Sequence, residues 1–88
     1  MSYRIILSPL ASADLKRLDK AIAQRVYIKM HWLSENFERI KPEALTGRYA
    51  GLFKFKIGSY RLVYRINHAD KTLYVTFIDH RKDAYREH

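Results

Sequence analysis

Three cations, Lys54, Lys56 and Arg61, lie in the stretch LFKFKIGSYRLVYRI, residues 52–66, at a spacing that a hairpin would bring together. Alternation along a strand sends Phe53, Phe55 and Ile57 to one face and Lys54 and Lys56 to the other. With Gly58-Ser59 as a two-residue loop, Ile57 pairs with Tyr60, Lys56 with Arg61, and Lys54 with Val63. Arg61, Val63 and Arg65 then share the basic face, while Tyr60, Leu62, Tyr64 and Ile66 join the apolar one. A half-solvated antiparallel sheet ordinarily carries basic side chains on its wet face, and that accounts for any one of these residues. It accounts less well for Lys56 directly opposite Arg61, because like charges across a strand pair destabilise the sheet. A bound phosphate would relieve the repulsion and gain charge-assisted hydrogen bonds.

A second group follows at the other end of the chain. The stretch VTFIDHRKDAY, residues 75–85, leaves a strand with His80 and Arg81 and reaches Tyr85. Taken alone, His80 reads as a satisfied structural histidine, Arg81 as a solvated residue and Tyr85 as an anchor for the tail. Tyr85 equally suits stacking on a base or contact with a ribose hydroxyl, common uses of aromatics near single-stranded RNA.

The elements that must position these residues are few. Residues 3–7 favour a strand that ends at Ser8-Pro9, where Ser8 can cap a helix and Pro9 can occupy its first turn. Ala11, Leu15, Leu18 and Ile22 recur at helical spacing, and Val26, Met30, Leu33 and Phe37 continue the period. A break near Asp19 or Lys20 makes these an αα-hairpin, so that both apolar stripes cover one sheet face. Tyr27, Met30 and Trp32 are expected in or near the core. Pro42, Gly47 and Gly51 mark a connection, after which come strands at about 52–57, 60–66 and 72–78. The expected fold is α+β, in the order β-α-α-β-β-β, with two helices on one face of a mostly antiparallel sheet. No repeat or linker divides the chain, so residues 1–88 are read as one domain.

Composition narrows the partners. Against 9 Asp and Glu stand 17 Lys and Arg, a net charge of +8, which favours nucleic acid or another acidic partner. Cysteine is absent, which excludes disulfides and cysteine–zinc sites and fits a reducing compartment, the cytosol by default. The four histidines, His31, His68, His80 and His88, show no metal-ligand spacing on a shared helix face. No apolar run is long enough to span a bilayer, so no membrane association is expected.

Three stretches together, LTG at Leu45 to Gly47, FKFKIGSYRLVYRI and IDHRKDAY, set in that element order, resemble the RelE/ParE superfamily of bacterial and archaeal toxins. The likeness spans nearly the whole chain and is closest to the RelE-like branch. It implies a ribosome-dependent mRNA endonuclease that needs no metal or other cofactor, in which a ribose 2′-oxygen attacks the neighbouring phosphate. Carried onto this chain, the site comprises Lys54, Lys56, Arg61, Arg81 and Tyr85, with His80 and Arg65 as auxiliary residues. Arg61 and Arg81 would stabilise charge on the phosphorane. A lysine crowded by cations has its charged form disfavoured, the property a general base needs; Lys54 or Lys56 fits that description, and the role is assigned to Lys54. Some relatives use a glutamate–histidine pair, and no glutamate occurs within 52–66 to serve it. The hairpin loop is also shorter than in some relatives. The resemblance further implies an acidic, RelB-like antitoxin, mRNA held in the ribosomal A site, and operator DNA as a target of the toxin–antitoxin complex. The competing functions are a ParE-like toxin that inhibits gyrase without nuclease chemistry, and a plain nucleic-acid-binding module.

Overall fold

The computed structural model describes residues 2–80. Strand β1, Arg4–Leu7, runs into helix α1, Pro9–Lys16, through Ser8, whose Oγ accepts the Ala11 N–H at 3.0 Å. Pro9 follows with its preset φ at the first turn, so the helix starts where the sequence says it should. After a short break at Arg17–Asp19, helix α2 spans Lys20–Asn36 and closes in a 3-10 turn at Phe37–Arg39. Ala11, Leu15, Val26, Met30, Leu33 and Phe37 form the buried stripe, with Leu18 and Ile22 packed at its margin.

Tyr27 and Trp32 depart from expectation: they are 56% and 45% exposed, and only Met30 of the three is core. A helix covering one side of a sheet buries a stripe about 100° wide. Tyr27 sits one residue after Val26 and Trp32 one residue before Leu33, about 100° round the helix from those members of the stripe, and both fall on its rim. Trp32 still covers Phe55, ring to ring at 6.1 Å and 11°.

Strand β2, Glu43–Ala44, is followed by a 3-10 turn at Gly47–Tyr49 and then by β3, Phe53–Ile57, β4, Tyr60–Asn67, and β5, Thr72–His80. The sheet order is β1-β5-β4-β3-β2, antiparallel except for the parallel pair β1–β5. This is the expected α+β arrangement, extended by the two-residue edge strand β2. Gly58 has φ +61 and Ser59 stays at negative φ, the pattern of a type II′ hairpin turn, and the pairing is Lys56 with Arg61, Ile57 with Tyr60, and Lys54 with Val63. Leu62, Tyr64, Leu73, Val75 and Ile78 face the helices, so the core lies between the hairpin of α1 and α2 and one face of the sheet.

Strand β5 does not keep one alternation. Its register with β4 shifts between Val63 and Tyr64, leaving Thr76 as an extra residue on β5. Before this bulge the odd-numbered Leu73 and Val75 face the core; after it the even-numbered Ile78 does. β1 ends at Leu7, and α1 satisfies the edge of β5 from there on. Ser8 Oγ donates to the Thr76 carbonyl at 2.7 Å, and the Ile78 N–H donates to Asp14 Oδ2 at 3.0 Å.

Candidate nucleic-acid interface

The sheet face turned away from the helices carries Lys54 and Lys56 from β3, Arg61, Val63 and Arg65 from β4, and Tyr74, Phe77 and Asp79 from β5. Lys56 is exposed and Lys54 half-buried. The bulge is what brings Asp79 here: without the extra residue, its parity would be that of Val75 and its carboxylate would enter the core. As built, Asp79 is the register partner of Arg61 on the side opposite Lys56.

Arg61 is consequently flanked by a cation on one strand and a carboxylate on the other. Its Nε donates to Asp79 Oδ1 at 2.9 Å and its Nη2 to Oδ2 at 3.3 Å, with only 16% and 20% of the two side chains exposed. The guanidinium lies 5.8 Å from the Tyr49 ring and 5.9 Å from the Phe77 ring. Those rings meet each other at 5.6 Å, and Val63, also on this face, is fully buried. Tyr49 is brought over the sheet by a connection closed on itself, Leu45 N–H to the Leu52 carbonyl and Leu52 N–H to the Tyr49 carbonyl, with Gly47 at φ +67 entering the turn. The wet face expected from alternation therefore has an apolar floor around Arg61. The predicted opposition of Lys56 and Arg61 is present, and Asp79 offsets it within the protein.

The remaining residues fall as follows. Arg65 stacks on Tyr74, its register partner, at 4.7 Å, farther along β4 from Lys56. His80 is the partner of Tyr60, edge to face at 4.9 Å, and by alternation both lie on the side of Ile78 and Leu62, away from Arg61. Arg81 and Tyr85 lie outside the described residues. Sequence reasoning passed over Glu43, which β2 sets directly beside Lys54, and Tyr49, Phe77 and Asp79. Glu43 precedes a strand of two residues with no period to read. The Asp79 signal was present in part, since IDH breaks the alternation that LYV establishes.

A cavity of about 370 Å³ opens beside this cluster, lined by Leu10, Asp14, Tyr49, Phe77, Ile78 and Asp79. A partly buried cation paired with a carboxylate, two further lysines and half-buried rings form a surface suited to a phosphate backbone with its bases.

Residues 5–85 match the model of the ParE toxin of the type II toxin–antitoxin system parDE. The chain is 35% identical to Toxin RelG of Mycobacterium tuberculosis over 88 residues, covering 98% of this chain and 99% of that protein. It superposes on a chain of the RelBE2 toxin–antitoxin complex of the same organism with a TM-score of 0.81 and 30% identity, covering 92% of this chain and 93% of that one. The isolated RelE toxin of E. coli shares the fold, with a TM-score of 0.73 at 22% identity over 98% of this chain and 94% of that one. This fold and this conjunction of matches define a toxin of a type II toxin–antitoxin system. Within that class, the chain belongs to the RelE/ParE superfamily.

Proposed function

We propose that this toxin is a ribosome-dependent mRNA endonuclease acting in the cytosol. The observation that carries the reading is Arg61 held on the open sheet face, in register with Lys56 and two residue pairs from Lys54. Lys54 takes the proton from a ribose 2′-hydroxyl, and the oxygen attacks the adjacent phosphorus. The P–O5′ bond breaks, giving a 2′,3′-cyclic phosphate and a 5′-oxygen that takes a proton from water. Lys56 and Arg61 stabilise the charge that builds on the phosphorane oxygens, as fixed donors do when aimed at developing charge. From the sequence, Arg81 is assigned to the same charge and Tyr85 to orienting the nucleotide. The ribosomal A site supplies alignment of the mRNA. No step in this scheme uses a metal.

The proposed partner is an acidic antitoxin, drawn to a protein of net charge +8. Complexes of toxins with antitoxins are what several of the structural neighbours are, RelBE2 among them. Operator binding by the toxin–antitoxin complex belongs to the same proposal.

The test is purified protein added to translating ribosomes, with the mRNA ends mapped against an Arg61→Ala variant. Ends within A-site codons for the wild type and their loss in the variant are expected. Intact mRNA together with blocked DNA supercoiling would establish the gyrase-directed reading instead.

A further inference from the structure

We propose that Asp79 is a positioning residue of the site, aiming the Arg61 guanidinium at the scissile phosphate; this rests on the mRNA-cleavage reading. The contact is made on one edge of the guanidinium only. Asp79 engages Nε and Nη2. A guanidinium has five N–H donors in a planar fork, and the end-on pair, Nη1 with the outer N–H of Nη2, is the edge left for two phosphate oxygens. Asp79 therefore shares Arg61 with a phosphate and does not take its place.

Three features make this a device for aiming. The Tyr49 and Phe77 rings lie within 6 Å of the guanidinium and restrict the plane that the carboxylate orients. Lys56, across the other strand pair, would push an unrestrained Arg61 side chain away from the face. The bulge that turns Asp79 outward is itself held from outside the sheet, by Ser8 on the Thr76 carbonyl and Asp14 on the Ile78 N–H. A surface ion pair of ordinary kind needs no such support, and long side chains seldom keep one geometry without it. Fixing the donor before the substrate arrives is what lowers a barrier; a mobile arginine spends part of its interaction on its own ordering.

The experiment is single-turnover mRNA cleavage on ribosomes over a range of toxin concentrations, for wild type, Asp79→Asn, Asp79→Ala, Arg61→Ala and the Arg61→Ala/Asp79→Ala double variant. Alongside it, the Arg61 Nε–H resonance is followed by ¹⁵N NMR in the free protein, with the amide spectrum reporting the fold. Asp79→Asn is expected to lower the maximal rate constant about tenfold or more, leave the half-saturating concentration nearly unchanged, and shift the Nε–H resonance of a folded protein. The double variant is expected to be no slower than Arg61→Ala, because a residue that acts only through Arg61 has nothing left to act on. Faster cleavage by Asp79→Asn would show that the carboxylate competes with phosphate and would overturn the proposal. So would an unchanged rate constant, or losses that multiply in the double variant. A wild type that leaves mRNA intact overturns the functional reading itself; a cleaving wild type with unaffected Asp79 variants overturns only the positioning role.

Discussion

On the helix-covered face, Leu62, Tyr64, Leu73, Val75 and Ile78 meet the side chains of α1 and α2 and are all but excluded from solvent. On the opposite face, at the neighbouring positions of the same strands, Arg61, Val63 and Asp79 are also largely buried, although they face away from α1 and α2. The first face is closed by apolar area, which is non-directional and tolerant of repacking. The second is closed by a guanidinium, a carboxylate and two tilted rings, each of which works in one geometry. Burial therefore marks two different things in this molecule: apolar packing beneath the helices, and an ion pair held between rings at Tyr49 and Phe77.

The sharpest way to separate the two is a pair of adjacent substitutions. Leu62→Ala should lower the unfolding free energy by about 2–5 kcal/mol, a large fraction of what a small domain has, and remove function by removing the fold. Arg61→Ala should leave most of the stability and slow cleavage about a hundredfold. Chemical denaturation read beside single-turnover rates decides this, and two variants that lose stability equally would erase the distinction between the faces.

A smaller effect is expected where the two faces are linked. Ser8→Ala removes both the cap of α1 and the donor to Thr76, and should cost about 1–2 kcal/mol. Cleavage measured well below the melting temperature should fall as well, because the bulge that aims Asp79 loosens. Full activity at that temperature would show that β5 holds its own shape.

The smallest effect at neutral pH belongs to Tyr64, whose hydroxyl is buried in the aliphatic face and finds no hydrogen-bond partner among the described residues. Burial, and secondarily the Glu43 carboxylate, push its phenol from 10.0 up to about 12. The unfolded chain ionises first, so the stability tied to the neutral phenol is complete below about pH 10 and is lost as pH rises towards 12. Tyr64→Phe should stay within about 1 kcal/mol of wild type at pH 7 and lose less stability across that alkaline window. Denaturation curves at pH 7 and pH 11 measure both; an equal alkaline loss in the variant would assign it to other groups.

What the sequence made legible follows from period and punctuation. Ser8-Pro9, the helical stripe, the loop at Gly58-Ser59 and the register of Lys56 on Arg61 each depend on local pattern, and all stand in the structure. Asp79 as a partner for Arg61 did not follow, because a single extra residue at Thr76 reverses the faces, and the broken alternation at IDH marks an irregularity without locating the extra residue. Glu43 beside Lys54 is a tertiary pairing over two residues, too short for any period to register. His80 follows Asp79 in the chain yet lies on the other side of the sheet from Arg61, since neighbours in a strand are the residues farthest from sharing a face.

The seam between β1 and β5 has a consequence for how the toxin comes into being. Arg4 pairs with Thr72, and the hydroxyl of Ser8 waits for the carbonyl of Thr76, so β1 is completed by β5, far along the chain. Contacts of such long sequence separation form late, after loop closure has been paid in entropy. A nascent chain emerging from its own ribosome can assemble α1, α2 and the hairpin of β3 and β4, yet Arg61 has no aligned carboxylate until β5 has arrived. The strand that closes the sheet against β1 is thus the one that brings the Asp79 carboxylate to Arg61.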